Sequence, residues 1–233
     1  METILFIRIV IFLVPKVILR IIVMRGKIYS HKIHAMISYG SWIMKRFVYL
    51  LDFDPLILTF IPEPFPIYFI DRGGTTYTIP DYLATLKNGY RLLIECKPVE
   101  KLGDPDVVKK IRAGMEFCKQ QINMNYLLVT DTQLKKIEQL IFNIIFLRHY
   151  YKLLVPSQFR NSAIETLKSV EKIRLDRLAL IAGDSSSQSI MYIYCMLYWG
   201  ELVADIRKTE INLKSWVYLP PTEEYESKTI DLS

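Results

Sequence analysis

Two carboxylates and one ammonium are the residues in this sequence best placed to do chemistry. Asp81 follows Pro80, thirteen residues separate it from Glu95, and Cys96-Lys97 come next. Side chains alternate along a strand, so Glu95 and Lys97 share a face, and a hairpin between the acids would fold Asp81 back beside them. Two hard oxygen ligands at neighbouring strand ends can hold Mg²⁺ or Mn²⁺, with the Cys96 carbonyl as a further oxygen. Such an ion lowers the pKa of a bound water and neutralises charge on a phosphate under attack. Lys97 would orient that water or stabilise the transition state. The pattern is short, and an edge strand with solvated charges has the same residue types.

The elements that must position these groups follow from turn signals and periodicity. Extended runs over Ile67–Asp71 and Thr75–Leu86 meet at Gly73-Gly74, and Asn88-Gly89 leads into a third run, Tyr90–Cys96, so a three-stranded meander is predicted. Upstream, Ile43, Phe47, Leu50 and Leu51 recur at three and four within a predicted helix over Met36–Leu51, which stops before Pro55. Leu56–Phe60 is a short strand, and Pro62, Pro64 and Pro66 stiffen the next link. Downstream, Gly103-Asp104-Pro105-Asp106 starts a helix carrying Val107, Ile111, Met115 and Cys118 to Gln121, and Tyr126–Thr130 is a buried strand. The expected core is α-β-α.

Thr130-Asp131-Thr132 caps a helix from Gln133 to about Lys152 that leads into a helical unit. Its segments are Gln158–Leu167, Val170–Ala182, a Gly- and Ser-rich break, and Ser189–Asp205, followed by strand-like alternation of Ile211, Leu213, Trp216 and Tyr218. Three helices and a β-wing describe a winged helix. The third helix is apolar and lacks Lys or Arg before Arg207, which suits protein docking better than reading of a DNA groove.

Composition narrows the classes. The 233 residues are 51% hydrophobic, so a packed chain is expected rather than disorder. The net charge is +6, and residues 1–50 hold eight Lys or Arg against the single acid Glu2, so the excess charge is N-terminal and suits phosphates or anionic lipid. Cys96, Cys118 and Cys195 are odd in number, far apart and without a C-x-x-C or His/Cys cluster, which points to a reducing compartment and away from structural zinc. Met1–Met24 is apolar but interrupted by Arg8, Pro15, Lys16 and Arg20, too broken to span a bilayer. It is a partner-binding or core-packing extension, a membrane-surface helix, or sequence upstream of the true start.

The order Gly26–Ser30, Ser41–Pro55, Glu63-Pro64, the hairpin, and Glu95-Cys96-Lys97-Pro98 resembles the TnsA family, the endonuclease subunits of heteromeric DNA transposases. That family belongs to the restriction-endonuclease-like nucleases with a Pro-Asp…Glu-x-Lys signature. The resemblance implies an α/β protein with an endonuclease core over 25–132, a C-terminal winged-helix domain over 133–220, an extension over 1–24 and a flexible tail over 221–233. It implies a Mg²⁺- or Mn²⁺-dependent endodeoxyribonuclease with Asp81, Glu95 and Lys97 as catalytic residues and Asp81, Glu95 and Cys96 at the metal. The resemblance implies cleavage at the 5′ ends of a mobile element. The implied partners are DNA, a transposase and a regulatory ATPase in a prokaryotic cytoplasm, with no membrane. The sequence departs from the family where a helix glutamate completes the metal site: Met44 stands there, and Gly40 stands where a second glutamate often precedes the serine. Two carboxylates and water suffice, or Glu63 or Asp52 substitutes, or the chain is a silent architectural subunit. A stand-alone restriction or repair nuclease is the remaining alternative.

Overall fold

The computed structural model describes residues 25–184 and 186–220; the expected N-terminal extension and tail lie outside the described residues. The architecture is mixed α/β, with seven α-helices among the described residues. Strand β1 (Gly26–Ser30) pairs antiparallel with β2 (Ala35–Tyr39), with Ile28 opposite Ile37. The helix expected from Met36 therefore starts later, because Ala35–Tyr39 alternates and completes this hairpin. Helix α1 (Trp42–Phe53) begins at Ser41, whose hydroxyl accepts the Met44 N–H at 3.2 Å.

Strand β3 (Ile57–Pro62) follows, then β4 (Ile67–Asp71) and β5 (Gly74–Thr78), which form a two-stranded sheet of their own. The predicted meander is thus corrected. The run Thr75–Leu86 breaks at Ile79-Pro80-Asp81, because Pro80 has no N–H with which to continue a ladder. Beyond the break, β6 (Tyr82–Leu86) enters the main sheet between β3 and β7 (Arg91–Cys96). Helix α2 (Pro105–Lys119), capped by Asp104, crosses back to β8 (Met124–Val129), which lies parallel to β7. The main sheet has the order β3-β6-β7-β8.

Its two faces are covered separately. Ile94, Cys96, Tyr82, Phe60 and Val129 pack against Ile43, Phe47 and Leu51 of α1. Leu93 and Met124, on the opposite face, pack against Cys118 of α2 and against Ile67. Gly114 lets α2 approach closely, since a Cβ there would come within 2.4 Å of the Tyr126 ring.

The expected long helix from Gln133 is two helices, α3 (Asp131–Lys136) and α4 (Glu138–Leu147), broken at Ile137 and followed by a 3-10 turn over Arg148–Tyr150. The C-terminal unit is α5 (Ser157–Ser169), β9 (Ile173–Arg174), α6 (Leu175–Ala182), α7 (Ser187–Tyr198), β10 (Val203–Ala204) and β11 (Trp216–Tyr218), with the three strands in the order β10-β11-β9. Helix α7 ends seven residues before the expected Asp205, where Gly200 takes a left-handed φ of 72°. Only Trp216–Tyr218 of the alternating tail pairs as strand. Asn143 of α4, 1% exposed, joins the two regions: its amide donates to the Ile206 and Thr209 carbonyls at 2.8 and 2.7 Å and accepts the Ile211 N–H at 3.1 Å.

Candidate active site

The strand break positions Asp81. Tyr82 pairs with Ile94, so one step outward Asp81 faces Glu95 where the β6–β7 ladder ends. The Cys96 N–H, which has lost its backbone partner across the break, donates to Asp81 Oδ2 at 2.7 Å. Glu95 is only 5% exposed and ion-pairs with Lys97, whose N–H is fixed by the Val129 carbonyl at 2.9 Å. The three sequence-predicted groups therefore meet at one corner of the sheet.

The electrostatics are those of an under-compensated pair. Burial, then the neighbouring Glu95 charge, push the Asp81 carboxyl up to about 6, against the opposing pull of Lys97 and the Cys96 N–H. Burial pulls Lys97 down, but the Glu95 and Asp81 charges outweigh it and hold the ammonium above its usual range. One ammonium and one N–H cannot fill the lone pairs of two carboxylates. Such a donor set fits a hard divalent cation.

The other predicted groups fall out differently. Cys96 turns its side chain into the opposite core, where burial and then the two acids raise its thiol well above the ordinary value, so sulfur is no ligand. Glu63 is exposed; its N–H donates to the Asp81 carbonyl at 3.0 Å and its backbone is left-handed at φ 46°. Asp52 is no substitute ligand. It lies at the last turn of α1, accepting Ser30 Oγ at 2.5 Å, the His31 N–H at 3.1 Å and Arg148 at 3.4 Å. Among the described residues no three His, Cys, Asp or Glu side chains gather as a possible metal cage.

Met44 sits at the same end of the molecule as the site. A three-residue link, Asp54–Leu56, joins α1 to β3, so the helix runs antiparallel to that strand. Its 12 residues span about 18 Å and the 6 of β3 about 20 Å, which brings the first turn of α1 level with Pro62 and Tyr82. Met44 packs against the core, and its sulfur accepts the Gly40 N–H at 3.4 Å.

Tyr126 is the neighbour that periodicity did not single out. It lies opposite Leu93 in β8, on the face that carries Glu95. Burial, then the Glu95 and Asp81 charges, raise its phenol and keep it neutral, so it offers a hydroxyl within the field of both acids. The run Tyr126–Thr130 predicted a buried strand, and the register with Glu95 was the missing information.

Two of the eight N-terminal cations have partners inside the fold, while Arg8, Lys16 and Arg20 lie outside the described residues. Lys32 donates to the Leu51 and Asp54 carbonyls at 2.7 and 2.5 Å, and Arg46 pairs with Glu138 at 3.0 Å, so these N-terminal cations serve the fold. The apolar residues of α7, Ile193 to Tyr198, are buried in the C-terminal core, so internal packing accounts for them. Among the described residues no helix is long and apolar enough to cross a membrane. A cavity of about 620 Å³ lined by Leu50, Phe53, Ile144 and Leu197 lies between α1, α4 and α7, away from the acids. In comparisons with known proteins, no family model and no curated sequence matches the chain significantly.

Proposed function

We propose that the protein is a divalent-metal-dependent endodeoxyribonuclease, the TnsA-like subunit of a heteromeric transposase. The core over 25–132 is taken as restriction-endonuclease-like and the unit over 133–220 as a winged helix. The observation that carries the reading is the meeting of Asp81, Glu95 and Lys97 at one strand end, with one buried acid, one partly buried acid and a single ammonium. Support also comes from the layering, in which α1 covers one face of a β3-β6-β7-β8 sheet and α2 the other. The order α5-β9-α6-α7-β10-β11 supports the second domain.

Asp81 and Glu95 would hold Mg²⁺ or Mn²⁺, with the Cys96 carbonyl and water completing the shell. When bound, the ion supplies charge neutralisation at the phosphate and a more acidic water. Lys97, held above its ordinary pKa by the acids, stays protonated and orients the water or meets charge developing on phosphate oxygens. The 5′-end cleavage, the transposase and the regulatory ATPase belong to the same proposal.

Nicking of a supercoiled plasmid bearing element ends, with the partner transposase present, tests it. The parent is expected to nick and Asp81→Ala to be inactive; equal activity removes these roles. A second reading rests on Met44 at the start of α1: a silent architectural subunit. Met44→Glu separates the two, because a silent site gains cleavage and metal affinity whereas a competent one changes little.

A further inference from the structure

The β4–β5 ribbon is the part of the chain that the proposed function leaves unused. On its outer face Tyr68, Ile70 and Tyr77 are 66%, 72% and 55% exposed, and Tyr68 and Tyr77 face each other across the strands with ring centroids 5.9 Å apart. Three large side chains on one face of a two-stranded ribbon have no cover among the described residues. The ribbon is nevertheless held in place. Its inner residue Ile67 is buried, Phe65 in the preceding link packs on Phe117 of α2 at 5.3 Å, and Asp71 pairs with Lys109 at 2.6 Å. A two-stranded hairpin is marginal alone, so this stapling gives it a fixed direction.

Its chemistry and position favour nucleic acid over protein. Tyr68 and Tyr77 carry hydroxyls on their rings, Thr75 is exposed on the same face, and Arg72 at the turn is exposed with no ion-pair partner among the described residues. Arg112 lines the groove between the ribbon and α2. Hydroxyls and guanidinium meet base edges and phosphates, apolar side chains meet thymine methyls, and a two-stranded ribbon fits the major groove. Only Ile79 and Pro80 separate the end of β5 from Asp81. Tyr77 thus lies within about 13 Å of Asp81, a span of at most about four base pairs at about 3.4 Å each.

We infer that the β4–β5 ribbon is a DNA-contacting arm, its tyrosine face laid in a duplex groove within about four base pairs of the bond facing Asp81 and Glu95. The inference rests on the endonuclease reading and assigns it a positioning surface.

The test is fluorescence anisotropy of the full chain with a labelled 30-base-pair mixed-sequence duplex, Ca²⁺ replacing Mg²⁺, across a salt series. Tyr68→Ala/Tyr77→Ala is expected to weaken binding about 10-fold or more at unchanged salt slope, with Tyr68→Phe/Tyr77→Phe falling between it and the parent because the rings stay and the hydroxyls go. Arg72→Ala is expected to lower the salt slope by about one, and this variant carries the test should the alanine pair fail to fold. A folded alanine pair that binds like the parent overturns the arm, as does a parent that does not bind duplex. So does loss of self-association, seen by sedimentation, with DNA affinity intact. Mn²⁺ titration without DNA keeps the two proposals apart. Binding lost in Asp81→Ala, with the arm variants binding DNA normally, leaves the nuclease site standing and removes the arm. No Mn²⁺ binding by the parent, with DNA affinity lost in the arm variants, does the reverse.

Discussion

Asp52 and Glu95, the latter beside the partly buried Asp81, are buried acids near opposite ends of α1, and their surroundings differ in the number of donors. Asp52, with no side-chain exposure, receives the Ser30 hydroxyl, the His31 N–H and the Arg148 guanidinium. Asp81 and Glu95 receive one N–H and one ammonium between them. A carboxylate with its lone pairs filled is a structural joint; two adjacent ones left short of donors attract a cation. Burial alone therefore separates neither role, and donor count separates both.

The joint gives the largest effect. Arg148→Ala leaves Asp52 buried beside an absent partner and is expected to cost about 3–5 kcal/mol in denaturant unfolding; a cost below about 1 kcal/mol would erase the contrast with the site. Next comes acid. His31 stacks on Tyr151 at 3.4 Å with both ring nitrogens unpartnered, and burial, then Arg148, Lys152 and His34, lower its pKa to about 4. Its neutral form is the one the fold accepts, so its contribution is complete above the unfolded value of about 6.5. It is lost as pH falls from there through about 4. Thermal melts should show a fall of about 3 kcal/mol over that window, flattened in His31→Gln.

At the site, Mn²⁺ affinity by calorimetry should be level above pH 6 and fall about tenfold per unit below it, as protons compete for Asp81. The smallest effect is on stability. The raised pKa of Asp81 means that ionisation opposes folding between its unfolded value near 4 and about 6. Asp81→Asn keeps an acceptor for the Cys96 N–H, removes the charge, and should stabilise the protein at pH 7 by about 1 kcal/mol. Destabilisation instead would place Asp81 with Asp52 among the joints.

The site was legible because its parts are close in sequence and obey strand periodicity: Glu95 and Lys97 alternate correctly, and Pro80 marks the place where Asp81 sits. The same proline also splits β5 from β6, yet Gly73-Gly74 and the continuous extended run favoured one meander over two sheets. The Asp52 joint was invisible because Arg148 lies 96 residues away, and only tertiary packing brings it there. Helix α7 shows another limit. An apolar helix must be covered, but its composition does not say whether the cover is another protein or, as here, its own chain.

Mn²⁺ soaked into crystals and located by anomalous scattering addresses the central claim directly. A peak between the Asp81 and Glu95 carboxylates, absent in Asp81→Asn, is the expected result. Clean density there at saturating Mn²⁺, with Glu95 still held only by Lys97, would make this corner a salt bridge and nothing more.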